Sequence, residues 1–225
     1  MSLYSDTELE IAAQTEVLHE DELLSFARIG TWGTAAQRTA IAAEARKARC
    51  AAGVQESVGD EALAVALGGI NIDRDFCQQA QADGVTEGAY VEIVGLAARL
   101  AHLDVFARGI GVPVRRLRAP VEDREPSRER PSVAKKEGFF TASIPSAPAG
   151  GELAVSLFGN QPAPNILRSL SLVPDEARRL NALLNQEYFS MQTIFDFTCS
   201  SHNSITRPQL ELIAAKVSEL NQCFY

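Results

Sequence analysis

Apolar residues recur along most of this chain at intervals of three and four, which is the period of an amphipathic helix. The clearest run covers 84–113, "GVTEGAYVEIVGLAARLAHLDVFARGIGVP", where the apolar positions spread over more than one stripe. Thr86 stands just before this run, and its side-chain oxygen can accept hydrogen bonds from the free N–H groups of a first turn. We therefore predict a long helix that starts after Thr86 and is buried on most sides.

Other periodic runs predict helices on both sides of this one. In the first half they are "ELLSFARIGTW", "QRTAIAAEARKARC", "VGDEALAVALGG" and a short stretch over 73–82. In the second half "GELAVSLFG" and "PNILRSLSLVP" precede a long amphipathic run over 175–197. Asp175 and Glu176 open that run, where the helix dipole favours acidic side chains.

The last run, "TRPQLELIAAKVSELNQC", also carries a helix start signal. Thr206 and Gln209 have the spacing of a capping box, and Pro208 is tolerated in a first turn. No segment of the chain alternates apolar and polar residues as a half-buried strand does. The pattern as a whole predicts an all-α fold.

The stretch 113–151 interrupts the helical pattern. Six of the ten prolines lie between Pro113 and Pro148, and 115–136 holds eight basic and four acidic residues. We interpret this stretch as a solvated connector, since charge runs on a surface rarely bind a specific ligand, with a binding strip for an anionic ligand or partner as the alternative. Phe139 and Phe140 are adjacent within it, and we expect this pair to pack back onto a domain.

Composition excludes several classes of partner. The 225 residues carry a net charge of −8 with a pI near 5.0, which disfavours nucleic acid because phosphate contacts need clustered Lys and Arg. No apolar run reaches the roughly 18 residues that a membrane span needs, and the N-terminus lacks the features of a signal peptide. We therefore expect no membrane partner and a cytoplasmic location. The four cysteines are scattered, which favours free thiols over a disulfide framework.

Two Ala-rich segments suggest an internal duplication. "AAQRTAIAAEARKARC" and "RPQLELIAAKVSELNQC" both end in a cysteine and both follow an amphipathic run. Matching Cys50 to Cys223 places the two segments about 173 residues apart. In this alignment Arg38 matches Glu211, and Gly53 stands three residues after the first cysteine.

The last segment resembles the active-site helix of the alkylhydroperoxidase D-like, or carboxymuconolactone decarboxylase, family. The resemblance rests on "ITRPQLELIA" and on the step of twelve residues from Glu211 to Cys223. The run over 84–113 is similar to the part of that family that follows the cysteines, and "PNILRSLSLVP" is similar to the approach to its domain. The resemblance implies a tandem helical bundle: 1–112 as a degenerate first repeat, 113–151 as a linker and 152–225 as the start of an incomplete second repeat.

Peroxidase members of the family carry a C-x-x-C pair followed by a histidine, and this chain departs from that pattern. It ends two residues after Cys223, before the second cysteine and the histidine, and Gly53 replaces the second cysteine in the first repeat. We therefore expect a fragment or a natural truncation of a two-repeat protein.

The resemblance implies a thiol-dependent peroxidase-like oxidoreductase, with Cys223 as a redox cysteine and Glu211 as a relay or positioning base. Its partners would be a hydroperoxide substrate, a thiol reductant and further copies of the chain in a homo-oligomer, with no cofactor. Two alternatives stay open: a non-catalytic helical oligomerisation or binding module of the same family, and a lyase of the carboxymuconolactone decarboxylase type. On a straight helix Glu211 lies about 18 Å from Cys223, so a relay between them needs a break near Asn221.

Other candidate residues favour plain structural roles. "CSSH", from Cys199 to His202, lacks the clustered ligands that zinc requires, so we expect no metal there. Cys50 is predicted to be a small buried hydrophobic residue, and Cys77 has no predicted role. His102 lies in a strongly apolar run and is predicted to be a satisfied core or interface histidine.

Overall fold

The computed structural model describes residues 2–51, 74–137, 140–190, 193, 196–198 and 204–220. This part of the chain contains eight α-helices and two isolated β-bridges but no strand, so the predicted all-α class is confirmed. None of these helices is long and apolar enough to cross a membrane. The predicted helix around 58–69 and the position of Gly53 lie outside the described residues. The helices are α1 (Ala13–Phe26), α2 (Ala35–Ala51), α3 (Arg74–Ala82), α4 (Glu87–Gly109), α5 (Gly151–Phe158), α6 (Asn165–Arg168), α7 (Pro174–Glu187) and α8 (Arg207–Leu220).

Four helices, α1, α2, α4 and α7, pack together and enclose the main core. Helix α4 lies at the centre, in contact with each of the other three. Each helix contributes side chains that are removed from water, and this burial is the main favourable term in folding. The core cluster is Leu23, Phe26, Ala42, Leu96, Leu100, Leu103 and Leu183.

Helix α4 starts as the sequence predicts. The hydroxyl oxygen of Thr86 accepts a hydrogen bond from the Ala89 N–H at 3.3 Å, so the predicted N-cap is confirmed. The prediction of burial on most sides agrees with the structure, since Ala98, Val105 and Gly109 are the exposed positions of α4 and the fully buried positions form one broad stripe. Charged residues occupy part of this stripe, which is why the apolar pattern alone did not reveal it: Glu92, Arg99 and Asp104 are all buried.

Two predicted helices end earlier than their patterns suggest. Helix α1 stops at Phe26, and the following residues form a turn in which the Gly30 N–H donates to the Gly33 carbonyl at 2.9 Å. Helix α7 stops at Glu187, because Tyr188 adopts φ −129° and ψ −101°, outside the helical region. The single helix predicted over 175–197 is therefore wrong in its C-terminal part.

The stretch between α4 and α5 runs back along the bundle. Its charged part, 115–136, is mostly exposed, but its backbone is tied down: the Val121 N–H donates to the Ala27 carbonyl at 2.8 Å. Further on, Lys135 and Ser143 form an antiparallel bridge, and Ile144 is fully buried. Phe140 remains partly exposed, and Phe139 lies outside the described residues.

Candidate functional site

Glu211, one of the two predicted site residues, lies in the second turn of α8 rather than in the first. The predicted capping box explains this start, since the Gln209 side-chain oxygen accepts from the Thr206 N–H at 2.8 Å. Arg207 Nε donates to Glu211 Oε1 at 2.6 Å, and the Tyr188 hydroxyl donates to Oε2 at 3.0 Å. Both carboxylate oxygens are therefore hydrogen-bonded, although the side chain keeps 39% of its exposure.

These contacts attach the start of α8 to the residues that follow α7. The Arg207 guanidinium stacks over the Phe189 ring at 3.8 Å from its centroid, while its Nε holds Glu211. Burial raises the pKa of the Tyr188 phenol, and the hydrogen bond to the Glu211 carboxylate raises it further. Three large apolar side chains of α8 remain exposed: Leu212, Ile213 and Val217.

Cys223, the other predicted site residue, lies outside the described residues, as do Cys199 and His202. Helix α8 continues without a break as far as Leu220, about 14 Å along the axis from Glu211 at 1.5 Å per residue. The described residues therefore do not bring Glu211 towards the C-terminal end of α8. Cys77 is buried in α3, where Gln81 Nε2 lies 3.6 Å from its sulfur.

Arg38, which matches Glu211 in the alignment of the two Ala-rich segments, occupies a different environment. It is buried at the start of α2, where its Nη1 donates to Glu92 Oε1 at 2.6 Å and to Glu176 Oε1 at 3.3 Å. Beside it lies a largely apolar cleft of about 370 Å³, whose wall includes Trp32. Arg38 Nε and Trp32 Nε1 are buried and have no hydrogen-bond partner among the described residues.

Arg38 belongs to a series of paired charges that joins the four core helices and is buried except at its outer end, where Arg179 is partly exposed and Asp21 is exposed. Arg99 donates from Nε and Nη2 to Glu176 Oε2, at 3.0 and 2.6 Å, and from Nη1 to Glu22. Gly95 on α4 leaves room for this arrangement, since a Cβ atom there would lie 2.5 Å from Glu176 Oε2. The groups alternate in sign in the order Asp21, Arg179, Glu22, Arg99, Glu176, Arg38 and Glu92.

Within this series of seven charged groups, every carboxylate contacts at least one guanidinium. A buried charge without a partner is costly, and buried ion pairs can specify how neighbouring helices align. The pairing indicates a structural role for the series of paired charges, including Glu176, which the sequence pattern had presented as a dipole-stabilising residue of a first turn.

A second polar group lies near one end of the core, where three helices meet. His19 on α1, His102 on α4 and Glu187 at the end of α7 place their ligand-type atoms within 4.8 Å of one another. Glu187 lies between the two imidazoles: Oε1 is hydrogen-bonded with His19 Nε2, and Oε2 lies 2.7 Å from His102 Nε2. His19 is fully buried, whereas the His102 side chain is 30% exposed, so the group is accessible from the His102 side.

Tyr4 completes this group from the N-terminal segment. Its hydroxyl lies 2.7 Å from His19 Nδ1, so both ring nitrogens of His19 are hydrogen-bonded. The His19 ring packs edge-on against Phe106 at 4.7 Å between centroids, which fixes the plane of the imidazole.

Electrostatics stabilise the charged form of Glu187. Burial disfavours the carboxylate, but the hydrogen bonds from His102 and His19 outweigh that effect and lower the pKa of Glu187 to about 2. Burial also raises the pKa of the Tyr4 phenol, so Tyr4 stays neutral. A neutral tyrosine can either donate to a histidine nitrogen or accept from it.

The sequence predicts the local role of His102 but not the group of side chains to which it belongs. The prediction of a satisfied histidine is confirmed, since His102 is hydrogen-bonded and half-buried. Its partner Glu187 is 85 residues away, and Glu187 and His19 are 168 residues apart. No spacing motif covers such separations, and only knowledge of how α1, α4 and α7 pack brings these residues together.

Comparison with known proteins gave no relatives. No model of a protein family matches the chain. Neither the curated proteins nor the solved structures contain a match.

Proposed function

We propose that this protein is a thiol-dependent, alkylhydroperoxidase-related oxidoreductase in which Cys223 is the redox thiol and Glu211 a positioning residue. The observation that carries the proposal is the step of twelve residues from Glu211 to Cys223, together with the anchoring of Glu211 by Arg207 and Tyr188. A carboxylate that is held on both oxygens is a fixed charge, and fixed charges can orient a proton relay.

The reaction follows from thiol chemistry. The Cys223 thiolate attacks the terminal oxygen of a hydroperoxide and the O–O bond breaks, which leaves a sulfenic acid on the protein. The departing alkoxide takes a proton from water and is released as an alcohol. One thiol of an external dithiol condenses with the sulfenic acid to a mixed disulfide and releases water. The second thiol of the dithiol then displaces Cys223 as a thiol and leaves an oxidised, disulfide-form reductant. The substrate class is therefore a hydroperoxide, and the co-reactant is a dithiol.

The same proposal includes a division of the chain into two repeats and a linker. We assign 1–112 to a degenerate alkylhydroperoxidase D-like repeat, 113–151 to a linker and 152–225 to the start of a second repeat. In this scheme α2 and α8 are equivalent helices, with Arg38 and Glu211 at matched positions. The all-helical packing supports the assignment.

The test follows the consumption of a hydroperoxide in the presence of dithiothreitol. Cys223→Ser is expected to reduce the rate to that of the dithiol alone, whereas Cys77→Ser, which removes a buried thiol of α3, is expected to retain it. Equal rates for wild type and Cys223→Ser would exclude Cys223 as the redox thiol.

Glu211→Gln tests the positioning role separately. If Glu211 orients a relay to the thiol, the pH at which the rate is half-maximal shifts in this variant, and a purely structural residue would leave that pH unchanged. Circular dichroism would establish that the variant keeps its helices.

A non-catalytic module is the second candidate, and one observation favours it. Leu212, Ile213 and Val217 form an exposed apolar face on α8, and Leu212 keeps 72% of its exposure. Such a face is suited to pack against its own equivalent in a second copy of the chain. In that case Leu212→Glu is expected to convert a dimer to a monomer in sedimentation velocity, and no variant would alter peroxide consumption.

A further inference from the structure

We propose that His19, His102 and Glu187 form a binding site for a divalent first-row transition-metal ion. This site is separate from the thiol chemistry, because it involves neither Cys223 nor α8. The one observation behind it is the convergence of two imidazoles and one carboxylate from three packed helices, with their ligand-type atoms within 4.8 Å of one another.

The ligand set determines the class of ion. Two histidines and one carboxylate are a donor set that Zn²⁺ takes in hydrolytic sites and Fe²⁺ takes in oxygen-activating sites. Mg²⁺ and Ca²⁺ prefer all-oxygen sites, so imidazole nitrogens select against them. Three protein ligands leave at least one coordination position for water or substrate, and His102 is the ligand nearest to solvent.

The surroundings match those of a metal site. A ligand histidine normally has its second nitrogen hydrogen-bonded, which fixes the tautomer and the ring plane. His19 meets this condition, since its Nδ1 lies 2.7 Å from the Tyr4 hydroxyl while its Nε2 faces Glu187. When Nε2 coordinates the ion, the proton resides on Nδ1 and is donated to the Tyr4 oxygen.

The scaffold also holds the site rigidly. The three ligands come from helices of the central bundle, and α1 and α4 both pack against α7. The Phe106 ring packs edge-on against His19, and Leu103, which follows His102 in α4, is buried in the core cluster. Sites that are built on packed helices keep their geometry better than sites on loops.

Ligands bound to one ion with bonds of about 2.1 Å lie about 3–3.5 Å from each other. In the described arrangement Glu187 bridges both imidazoles through hydrogen bonds. Binding therefore requires only that the carboxylate and the His102 ring, both partly exposed, turn so that an ion replaces the two bridging protons.

Isothermal titration with Zn²⁺ tests the proposal on the full chain with its cysteines alkylated, so that thiols do not compete. We expect one Zn²⁺ per chain in wild type. Glu187→Gln and His102→Ala are each expected to weaken binding by at least about 100-fold, since even outer partners of a metal contribute about 10–100-fold. Tyr4→Phe, which removes such an outer partner, is expected to weaken binding about 10-fold with unchanged stoichiometry.

Glu20→Gln provides the matched control. Glu20 is the neighbour of His19 on α1, but its carboxylate is exposed and pairs with Arg118. This variant loses the same charge as Glu187→Gln and is expected to bind Zn²⁺ as wild type does. Circular dichroism identifies any variant that has lost its helices. If Glu187→Gln is one of them, His102→Ala supplies the result instead, because the His102 side chain is partly exposed.

Three results would overturn the proposal. The first is the absence of Zn²⁺ binding by the alkylated wild-type chain at micromolar concentrations. The second is equal affinity in wild type, His102→Ala and Glu187→Gln. The third is a Co²⁺ derivative whose absorption spectrum lacks the d–d bands of a protein-bound ion, because Co²⁺ in a nitrogen and oxygen site of low symmetry shows them.

Discussion

Helices α2 and α8 are equivalent in the proposed duplication, yet they relate to the rest of the described structure in opposite ways. Helix α2 buries Ala35, Arg38, Ala42 and Arg49 against its neighbours, so one full face is covered. Helix α8 buries only Arg207 among its described residues and leaves three large apolar side chains exposed. Similar helical patterns therefore do not fix how a helix is used, since the covering surface comes from elsewhere in the chain.

The matched positions show where the difference arises. With an offset of 173 residues, Arg38 corresponds to Glu211 and Ala42 to Ala215. Arg38 bonds two carboxylates from α4 and α7, whereas Glu211 bonds a residue of its own helix and one tyrosine. The carboxylate partners of Arg38 are 54 and 138 residues away and its side chain is buried, whereas the partners of Glu211 are 4 and 23 residues away and its side chain is half-exposed.

The largest expected effect on the free energy of unfolding comes from replacing Arg38, and the comparison is with Glu211 at the matched position. Arg38→Met leaves Glu92 and Glu176 buried with fewer partners, and breaking a buried ion pair costs about 3–5 kcal/mol. Glu211→Gln removes a partly exposed pair and is expected to cost less than about 1 kcal/mol. Urea unfolding of both variants gives the free energies, and equal losses would contradict the distinction drawn between the two helices.

The matched alanines test packing rather than charge. Ala42 is fully buried in the core cluster, so Ala42→Leu overfills it and is expected to lower the free energy of unfolding by about 1–3 kcal/mol. Ala215 is exposed on α8, and Ala215→Leu is expected to stay within about 0.5 kcal/mol of wild type. Thermal unfolding by circular dichroism measures both, and a tolerated leucine at position 42 would mean that the α2 face is loosely packed.

The smallest expected effect concerns the anchor of α8 at high pH. The raised pKa of Tyr188 means that the phenol stays protonated, and its bond to Glu211 intact, above the ordinary tyrosine value of about 10. A raised folded-state pKa contributes stability below the unfolded value, and that contribution is lost as pH rises through the folded value.

Spectrophotometric titration measures the ionisation of the Tyr188 phenol when the curve of Tyr188→Phe is subtracted from that of wild type. Its midpoint is expected above that of a free tyrosine. In a Glu211→Gln background the midpoint should fall only in part, because burial is the larger cause of the shift. An unchanged midpoint in that background would show that Glu211 does not hold Tyr188 in solution.

Local features of the fold could be predicted from the sequence. The Thr86 cap and the contact from Thr206 to Gln209 involve residues three positions apart, and each is visible as a short motif. The end of α7 could not be predicted in this way. The apolar pattern continues past Glu187, but Tyr188 and Phe189 leave the helix to contact Glu211 and Arg207 on α8.

The two candidate sites also differ in whether the sequence alone can predict them. Glu211 stands out through its spacing to Cys223 along one helix, which is a property of the sequence. His19, His102 and Glu187 each look ordinary in their own helix, and their chemistry arises only when three helices meet. The buried ion pairs of Arg99 on α4 are equally hard to predict from the sequence. Arg99 lies in an apolar run, and both of its carboxylate partners are 77 residues away.

Glu187 and Tyr188 are joined by a single peptide bond, yet they face different neighbours. Glu187 contacts the two imidazoles, and Tyr188 contacts Glu211 at the anchored start of α8. A rotation of the last turn of α7 therefore moves both contacts together. Helix α8 is held near its start by the contacts of Arg207 and Glu211, so a tilt of the helix about these contacts would move Leu220, about 14 Å farther along the axis, more than it moves Glu211.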